Sequence, residues 1–111
     1  MDARLDSDSS GFTLSPPKGE SIHVRWEEVR EIRTYKIDLL SYDEICLCFE
    51  VAGTGTTEGG TLWIEVTESD QGFRLLTDHM ERRFPEIPSD WYRKVMFPAF
   101  ATCEAVLYRA E

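Results

Sequence analysis

The sequence lacks the residues from which most metal and redox sites are built. Its 111 residues include three cysteines and two histidines, namely Cys46, Cys48, Cys103, His23 and His79. An odd number of cysteines argues against a disulfide framework, and free thiols are typical of a reducing compartment. A structural zinc site needs four ligands at recognisable spacing, which these five residues do not provide. We therefore expect no metal or other cofactor, and a cytoplasmic location.

Long apolar segments are absent as well. No apolar run approaches the roughly 18 residues that a membrane-spanning helix needs. The N-terminal stretch MDARLDSDSSG is polar and acidic, whereas a signal peptide carries an apolar central region. These absences argue against a membrane partner and against secretion.

Positive charge is missing from residues 41–71. This stretch contributes −7 to a total net charge of −9, because it contains no basic residue. Its seven acids are Asp43, Glu44, Glu50, Glu58, Glu65, Glu68 and Asp70. Acidic surfaces repel phosphate backbones and anionic membranes, so nucleic acid and lipid are poor candidates as partners. The stretch is either a solvated face or a docking surface for a basic protein.

Nucleotide-binding signatures are missing too. The glycine-rich stretch AGTGTTEGG at Ala52–Gly60 has Glu58 where a phosphate loop would carry lysine, and a strand rather than a helix is predicted to follow it. We interpret it as a flexible hairpin loop.

Alternating apolar residues predict several strands. Phe12 and Leu14 indicate a short edge strand within Gly11–Leu14, and Ile22–Trp26 alternates in the same way. The clearest strands are Glu44–Val51 and Thr61–Thr67. Glu27–Leu40 fits either a helix or a strand; we favour a tight turn at Trp26–Glu28 and then a strand over Arg30–Ile37.

The hydrophobic period changes after Thr67. An apolar stripe at helical spacing predicts a helix from about Gln71 to Phe84, with Ser69 or Asp70 as its N-cap. A second short helix is expected after Ser89, and an extended segment over Phe100–Ala110. The predicted fold class is α+β, in which an antiparallel sheet of five or more strands, a bent barrel or an open sheet, packs against the longer helix. Residues 1–10 are expected to be a flexible tail and residues 11–111 a single globular domain.

The pattern of polarity over residues 11–84 resembles the PH-like superfamily, including GRAM-type domains and small bacterial PH-like proteins. The similar segments are IHVRWEEVREI at 22–32, KIDL at 36–39 and DEICLCF at 43–49. The resemblance implies a bent antiparallel barrel capped by a helix, and binding rather than catalysis. It does not extend to phosphoinositide binding, because the first hairpin, SPPKGE at 15–20, offers a single lysine.

Four residues are the candidate partner-binding site: Glu50, Trp63, Glu65 and Glu68. Trp63 is predicted on the sheet face opposite the core, and exposed aromatic side chains are favoured interface anchors. It would instead be buried if the C-terminal segment folded over that face. No catalytic signature is present, so we expect a non-catalytic protein-binding module with a basic partner. The alternative is a small-molecule-binding domain or small enzyme, with a pocket between the sheet and residues 91–100.

Overall fold

The computed structural model describes residues 3–38, 43–52, 61–96 and 104–110. Over these residues the chain forms two antiparallel sheets and two α-helices, which confirms the α+β class. The strands are β1 (Arg4–Ser7), β2 (Gly11–Ser15), β3 (Ile22–Arg25), β4 (Val29–Asp38), β5 (Asp43–Ala52), β6 (Thr61–Thr67) and β7 (Glu104–Arg109); the helices are α1 (Phe73–Arg83) and α2 (Trp91–Met96). The glycine-rich loop lies outside the described residues, and within them no helix has the length and apolar content to cross a membrane.

The expectation of five or more strands in one sheet is wrong. Among the described residues, one sheet has three strands in the order β1-β2-β3, and the other has four in the order β6-β5-β4-β7. The break falls at a single 3-10 turn, Trp26–Glu28, between β3 and β4. The Trp26 backbone N–H donates to the Ser10 carbonyl at 3.1 Å and its indole N–H donates to the Asp8 carbonyl at 3.1 Å. These bonds hold the corner at which the chain leaves the first sheet and starts the second.

The N-terminal residues differ from the expected flexible tail. Arg4–Ser7 pairs with β2, placing Leu5 opposite Leu14. The Leu5 side chain is buried, and its backbone N–H donates to the Gln71 carbonyl at 2.6 Å. A lone leucine in an acidic, polar stretch gives no periodic signal, so the sequence pattern does not reveal this strand.

The ambiguous segment after Trp26 forms a strand, as favoured from its sequence. β4 pairs with β5 over almost its whole length, so Ile32 lies opposite Phe49 and Thr34 opposite Leu47. All four of these side chains are buried. The helical spacing of Val29 and Ile32 reflects the 3-10 turn and a pairing irregularity between Val29 and Glu31.

Four aromatic rings form the centre of the core and join both sheets to α1. Phe12 of β2 lies 5.4 Å from Trp26 and 4.9 Å from Phe49 of β5, measured between ring centroids. Phe84, which follows α1, meets Trp26 edge-on at 6.0 Å. Tilted and edge-on pairs of this kind add stabilisation beyond the burial of their area.

The C-terminal strand lies on the far edge of the four-stranded sheet, beside β4. Its register shifts between the pairs Ile32–Tyr108 and Arg33–Val106, so Leu107 is an extra residue. This bulge explains why Leu107 is buried although Tyr108 also faces inward, its ring 4.2 Å from that of Phe84. β7 does not cover Trp63, which lies on the opposite edge strand.

Helix α1 begins without the expected side-chain cap. Its N-cap is Gly72, in the left-handed conformation with φ 95°. Asp70 instead uses its carboxylate to accept from the backbone N–H groups of Thr67, at 2.9 Å, and Ala3, at 3.1 Å. Gly72 also packs so closely on β1 that an added Cβ would overlap the Leu5 carbonyl oxygen.

We predict that Gly72→Ala destabilises the fold by about 2–5 kcal/mol. The left-handed conformation costs a residue with a Cβ roughly 1–2 kcal/mol, and the overlap with Leu5 adds an overpacking cost on the order of 1–3 kcal/mol. Gly19→Ala is the matched control: Gly19 has φ 107°, but its added Cβ would lie 3.9 Å from the nearest atom, Pro16 Cγ. Urea denaturation measures both variants. Equal losses would mean that β1 does not pack against Gly72.

Candidate functional site

Three of the four candidate residues lie side by side on the sheet face that points away from the core. Residues directly opposite each other in an antiparallel pair project to the same side. Glu50 lies opposite Trp63, and the next outward pair is Cys48 and Glu65. We call Glu50, Trp63 and Glu65 the β5–β6 face. The Trp63 side chain is 45% exposed, so the prediction that it lies on the non-core face is confirmed.

An arginine from the neighbouring strand supports Trp63. Arg33 of β4 is the partner of Cys48, and its guanidinium carbon lies 5.7 Å from the centroid of the Trp63 ring. A cation at this distance is attracted to the face of an indole. Arg33 also forms an ion pair with Glu31, which in turn accepts from Arg109 Nε at 2.8 Å. Arg33 is therefore linked through Glu31 to Arg109 of β7, and the same arginine lies beside the indole.

Two arginines, Arg33 and Arg109, offset the charge of Glu31. Hydrogen bonds from Arg109 and Arg33 lower the pKa of the Glu31 carboxyl below its ordinary value of 4.5. Glu31 is buried although it is charged, which is tolerable because it is paired. Within the described part of the chain, neither Glu50 nor Glu65 forms an ion pair. The negative potential of the β5–β6 face therefore comes from Glu50 and Glu65.

The fourth candidate, Glu68, lies apart from the other three. Its carboxylate accepts from the Ile45 backbone N–H at 2.9 Å and from the Tyr92 hydroxyl of α2 at 2.5 Å. Burial and this hydrogen bond to Glu68 raise the pKa of Tyr92 to about 12. Glu68 thus connects β5 to α2, and its charge is engaged inside the protein. Glu68 is therefore not part of the outward-facing group formed by Glu50, Trp63 and Glu65.

A groove lies between the two helices. It encloses about 570 Å³, and its lining residues are Glu68, Phe73, Arg74, Thr77, Asp78, Glu81, Trp91 and Tyr92. The alternative pocket was expected between the sheet and residues 91–100. Of the described part of that segment, residues 91–96, Trp91 and Tyr92 line the groove. The Trp91 indole N–H donates to Glu81 at 2.9 Å. Two of the three groove carboxylates, on Glu68 and Glu81, therefore already accept hydrogen bonds from aromatic residues of α2.

The cysteine pair on β5 is poorly suited to nucleophilic or metal chemistry. Burial, and next the nearby Glu44 carboxylate, raise the pKa of the Cys46 thiol to about 12. Burial also raises the pKa of Cys48. Because the thiolate is both the nucleophile and the metal ligand, both groups stay in the less reactive thiol form near neutral pH. Among the described residues, no cluster of three or more histidine, cysteine or acidic side chains could hold a metal ion.

The two histidines contact hydroxyl groups at strand positions. His79 Nδ1 of α1 lies 3.0 Å from Ser7 Oγ of β1, and His23 Nδ1 lies 2.9 Å from Thr13 Oγ1. The Ser7–His79 contact holds α1 against β1, and neither residue lines the groove between the helices. Sequence reasoning missed this contact and the Glu31–Arg33–Arg109 cluster, because both join elements that are far apart in the sequence.

Comparisons of this chain with protein-family models, with curated proteins and with solved structures find no match. The resemblance to the PH-like superfamily therefore stays a prediction.

We predict that Trp63 accounts for the quenchable tryptophan fluorescence of the native protein. Trp26 and Trp91 are each at most 2% exposed, against 45% for Trp63. Iodide or acrylamide should quench part of the native emission, and Trp63→Phe should remove that part while the protein remains folded. Phenylalanine keeps an aromatic ring over Arg33. Unchanged quenching in the variant would show that Trp63 is covered in solution.

We predict that Glu31 makes the fold sensitive to acid. Its pKa is lower in the folded than in the unfolded protein. Its contribution is therefore complete above the ordinary value of 4.5 and is lost as pH falls through the lowered folded value. Urea midpoints of wild type and Glu31→Gln, measured from about pH 6 to 3, should converge as pH falls. The pKa of Asp8 is also lowered, but Asp8 is present in both proteins, so its effect cancels in the difference between their midpoints. A constant difference across this range would contradict the proposed charge on Glu31.

Proposed function

We propose that this chain is a non-catalytic protein-binding module that uses the β5–β6 face against a basic partner. The observation that carries the proposal is the arrangement of Trp63. The indole is 45% exposed, lies 5.7 Å from the Arg33 guanidinium carbon and shares its sheet face with Glu50 and Glu65. Large aromatic side chains that are held rigid before binding are the usual anchors of protein interfaces.

Charge would add selectivity to this anchor. Glu50 and Glu65 have no internal ion pair among the described residues, so both are free to meet lysine or arginine. Complementary charge raises the association rate and discriminates between partners more than it adds affinity. The face therefore fits a partner that offers an apolar patch for the indole with basic residues around it.

We also propose that the fold is PH-like and that the protein is cytoplasmic. Two antiparallel sheets joined by the corner at Trp26–Glu28, with α1 following β6, support the first of these. The free thiols of Cys46 and Cys48 support the second. Fold likeness alone does not assign a function, so the binding proposal depends on the β5–β6 face.

A second candidate function is binding of a small organic cation in the groove between α1 and α2. The groove combines three carboxylates with aromatic side chains, a pairing that attracts ammonium and guanidinium groups. Arg74 lies in the same lining and opposes such a ligand. The β5–β6 face is the stronger candidate because two of the groove carboxylates, Glu68 and Glu81, already accept hydrogen bonds from Tyr92 and Trp91.

The proposal predicts that charge reversal on the face abolishes partner binding without unfolding the protein. Wild type and Glu50→Lys/Glu65→Lys are used to capture proteins from a lysate of the source organism, and a captured basic protein is then purified and titrated calorimetrically. The control, Glu20→Lys/Glu86→Lys, has the same charge change at two exposed sites away from the face. Glu68 is left unchanged because it holds α2. We expect binding to weaken at least tenfold, or about 1.4 kcal/mol, in the face variant alone.

Trp63→Ala should weaken the same interaction by about 2 kcal/mol, the usual threshold for an anchor residue. Equal losses of affinity in the face variant and the control would show that net charge alone causes the effect, and would contradict a defined acidic face. Retention of full affinity by the face variant would remove the proposal.

A further inference from the structure

We infer that the free edge of β6 is a docking site for an extended segment of the partner, which adds a strand to the four-stranded sheet. The inference rests on the proposed binding function and specifies how the β5–β6 face would be used. The occupant it commits to is an extended segment with lysine or arginine at alternate positions.

Hydrogen bonds at the end of β6 show which backbone groups point toward the free edge. The Glu68 backbone N–H donates to the Ile45 carbonyl at 3.0 Å. Alternate residues of an antiparallel strand bond to the same neighbour, so Leu62, Ile64 and Val66 bond to β5. The backbone N–H and C=O groups of Trp63 and Glu65 consequently point away from β5. Within the described residues β6 pairs with β5 alone.

The available part of this edge has a defined end. The Thr67 backbone N–H also points away from β5, but it donates to the Asp70 carboxylate at 2.9 Å, and the Thr67 carbonyl accepts from the Asp70 N–H at 2.9 Å. Asp70 therefore closes the edge beyond Glu65. Trp63 and Glu65, two of the three residues of the β5–β6 face, have edge-facing backbone groups without a backbone partner among the described residues.

The other edge of the sheet is less suited to strand addition. β7 carries a bulge at Leu107, and bulges on edge strands discourage pairing. The register of β6 on β5 is continuous over all seven residues. Unprotected, regular edges of this kind invite an additional strand.

The side chains along β6 select the composition of the added strand. Trp63 and Glu65 project on the outer face, and Leu62, 36% exposed, projects on the opposite side. An added strand would place alternate residues beside the indole and carboxylate, where lysine or arginine is favoured. Its intervening residues would lie toward Leu62, where apolar side chains are favoured. A second copy pairing through β6 with Glu65 opposite its own counterpart would bring two like charges together, which is destabilising.

The test uses synthetic peptides of eight residues. An array carries lysine or arginine at alternate positions and valine, isoleucine or tyrosine between them, and calorimetry measures the best binder. Two N-methylated versions of that peptide are then compared: one methylated at amides that face β6, the other at the intervening amides. Each methyl group replaces an amide hydrogen of the peptide. It therefore removes one hydrogen-bond donor and blocks strand pairing only along the peptide edge to which that amide points. We expect the first version to lose binding at least tenfold and the second to lose less than about threefold.

The same peptide should lose binding to Glu65→Lys and retain it with the Glu86→Lys control. Equal effects of the two methylation patterns, or an array with no binder, would overturn strand addition. Binding that depends on Glu50 and Glu65 but not on methylation would overturn this inference and leave the proposed function standing. Binding that depends neither on Glu50 and Glu65 nor on methylation would contradict both this inference and the proposed function. Concentration-dependent dimerisation abolished by Glu65→Pro would show that the occupant is a second copy and would also overturn the inference.

Discussion

The fold depends on the corner at Trp26. Its ring is buried against Phe12 of the first sheet, Phe49 of the second and Phe84 after α1. Its backbone and indole N–H groups are bonded to the Ser10 and Asp8 carbonyls. One side chain thus fixes the angle between two sheets and the position of the helix. Since the rings interdigitate, a change at this corner would be transmitted to every layer of the core.

The corner also determines which face of the second sheet stays open. The first sheet and α1 cover one side of β4–β5–β6, where Ile32, Phe49 and Ile64 are buried. The opposite side keeps Trp63 and Val106, 45% and 46% exposed, with the Glu31–Arg33–Arg109 cluster between them. The exposed indole is therefore a consequence of one-sided covering of the sheet. Arg33 of this cluster lies 5.7 Å from the indole ring, and Glu50 and Glu65, which form no ion pair among the described residues, give the face its negative charges.

Local periodicity was sufficient to predict much of this structure. The alternation in Glu44–Val51 and Thr61–Thr67 predicted β5 and β6, and the outward position of Trp63 followed directly from it. The helical stripe predicted α1 to within two residues. The division into two sheets was not predictable in the same way, because it depends on hydrogen bonds between Trp26 and residues 8–10. The hydrogen bond between Tyr92 and Glu68 was not predictable either, because the position of an acidic residue in the sequence does not show whether its side chain meets solvent or another element.

The proposed function requires that the β5–β6 face, and not the groove between the helices, meets the partner. Amide hydrogen exchange of the purified complex against the free protein tests this most directly, because it reports backbone protection residue by residue. We predict slowed exchange at Trp63 and Glu65, whose amides point to the free edge, with little change at Leu62 and Ile64, which already bond to β5. Protection confined to Arg74–Glu81 and Trp91–Tyr92 would place the ligand in the groove and contradict the account.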